Sequence, residues 1–250
     1  MQGTGLVSFG LVMWLLGLWP AFESGMVPFA ALLGVLGVIS VTALYRGLAL
    51  GPVAVVAPVV ASYVVITVIL VVIFLGERLT SPQILAASVV FVGVVLTSTD
   101  ARELRVTLGR PVPGVRVGLI ATIGFGLWSA VFAIATRQYS WIPMILLLRA
   151  TSFVVVGTII ASRRIDLRVF RSRIVLALGT IVGVLDTLAN ALFARGIETG
   201  YASLAATGTG MYPIVPALLG MLALGERLAP NQIVGIIVLV IGLATLGALS

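Results

Sequence analysis

The chain of 250 residues contains no cysteine and no histidine, and only 9% of its residues are charged. Without cysteine it can form no disulfide and has no thiolate nucleophile. Without histidine it lacks the commonest neutral-pH base and metal ligand. Most familiar enzyme sites are thereby excluded. We therefore expect no catalytic activity, no cofactor and no metal ion.

Lysine is absent as well, so all 15 basic residues are arginines, and the formal net charge is +7. The residues that fill the sequence are apolar, with 60% hydrophobic residues and a mean hydropathy of +1.24. A water-soluble globule of this size could not cover its surface with so few polar groups. The arginines lie mainly in short tracts between apolar runs, which indicates membrane topology rather than nucleic-acid binding.

Apolar runs of about 20 residues, the length that crosses a bilayer as a helix, recur along the whole chain. An open sheet cannot cross lipid, because its edge amides would lie unpaired there. The sequence therefore predicts an all-α integral membrane protein with nine transmembrane helices. These spans are predicted at 6–22, 29–48, 52–75, 82–99, 117–137, 141–162, 174–194, 201–224 and 230–249.

One short motif occurs twice and indicates an internal duplication. Gly76-Glu77-Arg78-Leu79 returns as Gly225-Glu226-Arg227-Leu228, at an offset of 225 − 76 = 149 residues. The same offset, with no gap, also brings Tyr63 onto Tyr212 and Gly93 onto Gly242. Both copies of the motif close one long apolar run and precede another, so the duplicated unit includes the helices on either side.

The duplication predicts two repeats of unequal size. The first repeat, 1–99, holds four spans, and the second, 117–250, holds five after a linker at 100–116. Moving span 117–137 back by 149 positions gives −32 to −12, so we expect the first repeat to lack its opening helix. Because an odd number of helices inverts the next copy, the two repeats should be inverted relative to each other in the membrane.

The arginines also predict the orientation of the chain. Because successive loops alternate between the two faces, most arginines share one face, which the positive-inside rule makes cytoplasmic. The linker 100–116 is then cytoplasmic, Met1 lies inside and Ser250 outside, in a multi-pass protein of the inner (plasma) membrane. The arginines on this face are Arg46, Arg102, Arg105, Arg110, Arg116, Arg163, Arg164, Arg168, Arg171, Arg173 and Arg227.

These motifs resemble the EamA-type branch of the drug/metabolite transporter superfamily. The similarity lies in an apolar helix, then Gly-Glu-Arg-Leu-(Thr/Ala), then a last helix with a glycine, seen at 76–93 and again at 225–242. The turn Ala49-Leu50-Gly51-Pro52-Val53-Ala54 is similar to a second pattern of the family. The resemblance implies a carrier with ten helices in two inverted repeats, a cavity lined by the first four helices of each, and the fifth helices outside.

Two ionisable residues lie deep inside predicted spans, Arg149 and Asp186. Each is eight residues from the same end of its span, about 12 Å at 1.5 Å per residue, so the two side chains can pair. A charge at mid-bilayer costs about 2.5–3.5 kcal/mol and must face protein or a wet cavity. The pair either binds substrate or a proton, or fixes two neighbouring helices. Asn190, four residues after Asp186, extends the polar face.

Several further residues are candidates for the same cavity. Tyr63 and Tyr212 hold equivalent positions in the two repeats, near prolines that permit bending, and Trp128 lies within a span. The alternative for the tyrosines is simple packing. The two Gly-Glu-Arg motifs are interpreted as structural turns and gates, in which the carboxylate meets the N-terminus of the following helix.

The sequence as a whole favours a secondary carrier or exporter that moves small metabolites, amino-acid-like compounds or drugs by alternating access. Proton coupling through Asp186 is the sharpest form of this hypothesis. One alternative is a membrane-embedded enzyme acting on lipid, and another is a non-transporting or partner-dependent subunit. The expected partners are the bilayer, a small-molecule substrate and protons. A homodimer stays open, and nucleic acid is not expected.

Overall fold

A computed structural model describes residues 2–18, 20–101, 113–163, 172–209 and 228–249. In these ranges the regular structure is helical, with no strand, which confirms the predicted all-α membrane fold. The helices are α1 (Gln2–Leu15), α2 (Met26–Leu50), α3 (Val53–Ala61), α4 (Tyr63–Leu75), α5 (Ser81–Ser98), α6 (Pro113–Tyr139), α7 (Trp141–Ser162), α8 (Arg173–Thr199), α9 (Ala202–Thr209) and α10 (Pro230–Ala248).

Seven helical segments of this part of the chain are long and apolar enough to cross a membrane, α3 and α4 forming one of them from Val55 to Leu75. Their surfaces carry large, exposed apolar side chains. On α8, for example, Ile174, Leu185 and Leu192 are 71%, 59% and 65% exposed. Such apolar faces are stable only against lipid or another apolar surface. The protein therefore is an integral membrane protein.

Two predicted spans have different limits in the structure. The span expected at 6–22 forms α1, which ends at Leu15 because Gly17 turns into the left-handed region with φ 66°. With 14 residues, α1 is about 21 Å long, shorter than the hydrocarbon core. The span expected at 52–75 is interrupted at Ser62, whose hydroxyl donates to the Val59 carbonyl at 2.6 Å. Such local bonds compete with the helix ladder, and Pro58 weakens the same turn.

Other predicted limits change by a few residues. Helix α6 begins at Pro113, so the end of the predicted linker 100–116 is helical, while 102–112 lies outside the described residues. Of the span expected at 201–224, the structure describes Ala202–Thr209 as helix, and 210–224 also lies outside. These shifts leave the order of the helices as predicted.

Helix limits repeat at the same offset as the sequence. Helix α2 ends at residue 50 and α8 at 199, α3 begins at 53 and α9 at 202, and α5 begins at 81 and α10 at 230. Each pair differs by 149 residues, the distance between the two Gly-Glu-Arg motifs. The duplicated sequence is therefore also a duplicated series of helix ends.

The helices form two compact units that cut across the sequence repeats. The first unit comprises 1–38 and 131–199, and it contains α1, α7 and α8. Within it Phe9 contacts Trp141 edge-on with ring centroids 6.1 Å apart, and the Thr151 hydroxyl donates to the Ala30 carbonyl at 2.7 Å. Apolar packing and side-chain bonds to main-chain carbonyls thus hold this unit together.

The second unit comprises 39–130 and 200–250, and its tightest contact joins α5 and α10. Val90, Val94 and Leu239 are buried together there, with Ala61 of α3 beside them. A Cβ on Gly93 would lie 2.6 Å from the Leu239 main-chain nitrogen, so the two helices approach each other backbone to backbone. Small residues at such crossings are what allow helices to pack closely in lipid.

Candidate functional site

The first unit holds an ion pair in the interior of the membrane-spanning helices. Arg149 of α7 donates from Nη1 to Oδ2 of Asp186 on α8 at 2.6 Å. The same Nη1 also donates to Oε1 of Gln2 on α1 at 2.9 Å. The two residues that the sequence places at equal depth are therefore in contact, and a third helix joins them.

The two partners of this pair differ in exposure. The Arg149 side chain is 3% exposed and that of Asp186 is 41% exposed. In addition, Nε and Nη2 of Arg149 are buried and have no hydrogen-bond partner among the residues the structure describes. A buried charged donor without a partner is costly, by about 1–3 kcal/mol or more. The Arg149 side of the pair is therefore buried, with two nitrogen atoms that have no partner in the described residues. The Asp186 side is exposed.

Glycine lets α1 approach this pair. A Cβ on Gly5 would lie 2.3 Å from the Thr187 hydroxyl oxygen, 3.0 Å from the Gly183 carbonyl and 3.6 Å from Cδ of Arg149. Thr187 uses its own hydroxyl to bond the Gly183 carbonyl of α8 at 2.7 Å. Any larger residue at position 5 would push α1 away from α8 and from the guanidinium.

Asn190 takes no part in the ion pair itself. Its Nδ2 donates to the main-chain carbonyl of Asp186 at 2.7 Å, within the same helix. The side chain is half-buried. Its amide nevertheless bonds the backbone and not the Asp186 carboxylate.

In the second unit, Tyr63 begins α4 directly after the break at Ser62. Its hydroxyl lies 3.2 Å from the Thr209 hydroxyl at the end of α9, and its ring is tilted against that of Phe125 on α6 at 5.8 Å. Trp128 lies half-buried on the same helix as Phe125. Tyr212, the predicted equivalent of Tyr63, lies outside the described residues.

Threonine hydroxyls bond the carbonyls on both sides of the break. Thr122 of α6 donates to the Val59 carbonyl at 2.8 Å, and Thr67 donates to the Tyr63 carbonyl at 3.1 Å and to the Gly126 carbonyl at 3.4 Å. A broken helix in lipid is tolerated when such side chains bond the freed backbone groups. The interruption at Ser62 is therefore flanked by carbonyls that accept hydrogen bonds from side-chain hydroxyls of the second unit.

The first Gly-Glu-Arg motif joins two helices that are far apart in sequence. Gly76 ends α4 in the left-handed region with φ 65°, and Arg78 is exposed. Oε1 of Glu77 accepts from the Ala202 N–H at 2.6 Å, and Oε2 accepts from the Ser203 N–H at 3.0 Å and from the Ser203 hydroxyl. The carboxylate thus caps the N-terminus of α9.

The hydrogen bonds of Glu77 given above go to α9, whereas the helix that follows the motif is α5. That helix, α5, has a cap of its own: Thr80 Oγ1 accepts from the Gln83 N–H, and Gln83 Oε1 accepts from the Thr80 N–H at 2.9 Å. This capping box satisfies the first amides of α5 and leaves Glu77 available to α9. The second motif, Gly225, Glu226 and Arg227, lies outside the described residues.

Three partners of the candidate residues carry little signal in the sequence. Gln2 stands at the edge of the first apolar run, where a polar residue is ordinary. Thr209 and Ser203 are small hydroxyl residues of a type common in membrane helices. They are identified only by their contacts in the structure with Arg149, Tyr63 and Glu77, which lie 147, 146 and 126 residues away in the sequence.

Comparison with known proteins identifies the chain. The model of the EamA-like transporter family matches residues 3–99 and again 112–248. One crystal structure of a protein shares the fold with a TM-score of 0.71 at 17% sequence identity, covering 100% of this chain and 87% of that one. No curated protein matches the chain. Since the family model matches twice and covers most of the sequence, the protein belongs to the EamA-like transporter family.

Proposed function

We propose that the protein is a secondary carrier that moves a small organic solute across the inner membrane by alternating access, with Asp186 exchanging a proton. The observation that carries this proposal is the ion pair of Arg149 and Asp186, at 2.6 Å, inside apolar helices. Ionisable residues within membrane spans are expensive and typically mark substrate or proton pathways. Membership of a transporter family supports the same function.

Proton exchange would act through the contact itself. When Asp186 takes up a proton, Oδ2 no longer carries the charge that attracts the Arg149 guanidinium, and the link between α7 and α8 weakens. We propose that the exposed side of Asp186 lines a wet cavity, through which a proton reaches the carboxylate while Arg149 stays buried. Protonation and helix separation are thereby coupled, which a proton-driven carrier requires.

The remaining candidate residues lie in segments that would change conformation in such a carrier. The helix is interrupted at Ser62, with hydrogen-bonded carbonyls on both sides, and discontinuous helices are common at the binding sites of carriers. We propose that Glu77, which ties the end of α4 to the start of α9, is a gate of the second unit. We also propose that the sequence repeats 1–99 and 117–250, joined by a cytoplasmic linker, are the two inverted halves.

Flux measurements test this function. The purified chain in proteoliposomes should move at least one solute of a panel of organic cations, amino acids and neutral metabolites, faster with a pH gradient than without. D186N should abolish the effect of the gradient. R195Q is the matched control, because the Arg195 side chain is 61% exposed and pairs with Glu198, not with Asp186. No flux for any solute would overturn the carrier, and flux in D186N that still follows the gradient would overturn the proton step.

A further inference from the structure

We infer that the Nε–Nη2 edge of Arg149 binds the carboxylate group of the transported solute. This inference rests on the proposed carrier function and adds the chemical class of its substrate. The edge is defined by two N–H-bearing atoms that are buried and without a partner in the described residues, whereas Nη1 bonds both Asp186 and Gln2. Half of the guanidinium is thus used for structure and half is left for a ligand.

The geometry of this edge selects the ligand. Nε and Nη2 of a guanidinium present two parallel N–H groups in one plane, and a carboxylate accepts both at once. Buried polar groups in folded proteins nearly always have a partner in protein, water or ligand, and we assign the partner of this pair to the solute. A neutral amide or a hydroxyl offers at most one good acceptor to the same edge.

The charge of the site favours a carboxylate over a phosphate. Arg149 and Asp186 together are neutral, so a monoanion adds one negative charge to a poorly hydrated site and a phosphate dianion adds nearly two. Asp186 forms its bond through Oδ2, and its exposed carboxylate can also contact a positive group. We therefore expect a carboxylate that carries its own ammonium group to bind more tightly than a plain monocarboxylate.

The edge is covered in this conformation, as a carrier with an occluded state requires. Helix α1 lies over Arg149, with Gln2 bonded to Nη1 and Gly5 close to Cδ. A solute can reach Nε and Nη2 when α1 moves away from α7 and α8. The exposed Asp186 marks the side of the pair that faces the surroundings.

Binding to matched probes tests the inference. The full chain in nanodiscs is titrated with benzoate against benzamide, leucine against leucinamide, and inorganic phosphate, with a thermal-shift or calorimetric readout. We expect each carboxylate to bind at least about tenfold more tightly than its amide, and phosphate to bind weakly. R149K keeps the charge opposite Asp186 but lacks the planar edge, so it should lose this preference. R195Q should keep it.

Several outcomes would overturn the site. Equal binding of acid and amide, or an unchanged preference in R149K, would show that the edge does not hold the carboxylate. Should R149K fail to fold, the neutral pair R149Q/D186N supplies the same test. Flux separates this failure from that of the function: transport of amides with no preference for acids leaves the carrier intact and refutes the site. Carboxylate binding lost in R149K, without any flux, supports the site and refutes the carrier.

Discussion

The Arg149 guanidinium and the Asp186 carboxylate form a contact of 2.6 Å in which one side chain is 3% exposed and the other 41%. This asymmetry predicts unequal effects of substitution. D186N loses the counter-charge of Arg149 but keeps an oxygen that accepts from Nη1, so it should lower the free energy of unfolding only modestly. D186L loses both the charge and the acceptor and should lower the free energy of unfolding by about 3 kcal/mol or more.

Thermal unfolding in detergent checks both variants, with E23Q as the control because Glu23 is exposed and precedes α2. Surface substitutions of this kind usually change stability by about 0.5 kcal/mol or less, so E23Q should change little. Equal destabilisation by D186N and D186L would mean that the charge, not the hydrogen bond, holds the fold. Normal stability of D186L would mean that Arg149 finds another partner.

Glu77 should stabilise the second unit through the N-terminus of α9. Its carboxylate accepts two main-chain N–H bonds and one hydroxyl bond from Ala202 and Ser203. E77A should cost about 1–2 kcal/mol of unfolding free energy, as the loss of a helix cap does. E77Q should cost less, since the amide keeps one acceptor oxygen but loses the charge that suits a helix N-terminus.

E23Q is the matched control for Glu77, because Glu23 is exposed in a turn before α2. Thermal unfolding and the amount of protein in the membrane are measured together. A purely structural cap lowers both in E77A without changing which solutes are moved. A changed substrate preference at an unchanged amount in the membrane would contradict that interpretation and make Glu77 part of the binding site.

The sequence predicts the parts of this protein that depend on local signals. The length of each apolar run, the Gly76 turn and the 149-residue offset are all visible in the sequence, and the helix ends follow them. The contact between Arg149 and Asp186 could be predicted because a helix rises by a constant amount per residue. Two residues that are equally many positions from the same end of their spans therefore lie at the same depth in the membrane.

The partners that lie far apart in sequence could not be predicted in this way. Glu77 caps α9, 125 residues away, while Thr80 and Gln83 cap α5. Because several acceptors lie near the start of α5, the sequence does not show which of them caps it. The interruption at Ser62 lies beside Thr122 of another helix, whose hydroxyl donates to the Val59 carbonyl. Such features are decided by packing between helices, which periodicity does not specify.

Tyr63 and Thr209 should be coupled across the second unit. Their hydroxyl oxygens are 3.2 Å apart, so Y63F and T209V each remove this hydrogen bond, and T209V also removes the bond from Thr209 to the Ala206 carbonyl at 2.7 Å. Each variant should lower the free energy of unfolding by about 0.5–1.5 kcal/mol, and the double variant by less than the sum. If Tyr63 also contacts the solute, Y63F raises the apparent KM for flux while T209V does so less. Additive losses with unchanged flux would contradict both statements.

Gly93 should be among the least replaceable residues of the helix pair α5 and α10. A Cβ there would lie 2.6 Å from the Leu239 main-chain nitrogen, a distance that only a shift of the backbone can relieve. G93A should therefore lower the free energy of unfolding by about 1–3 kcal/mol. Its counterpart G242A, whose Cβ would lie 2.9 Å from the Val90 main-chain nitrogen, should behave in the same way.

G157A separates this packing effect from helix propensity. Gly157 lies within α7 and is exposed, and a Cβ there would meet nothing within 4 Å. Alanine is the better helix former, so G157A should be neutral or more stable by up to about 1 kcal/mol. Thermal unfolding of the three variants in one detergent is the measurement. A G93A protein as stable as G157A would mean that α5 and α10 are farther apart in the membrane than their glycine contact requires.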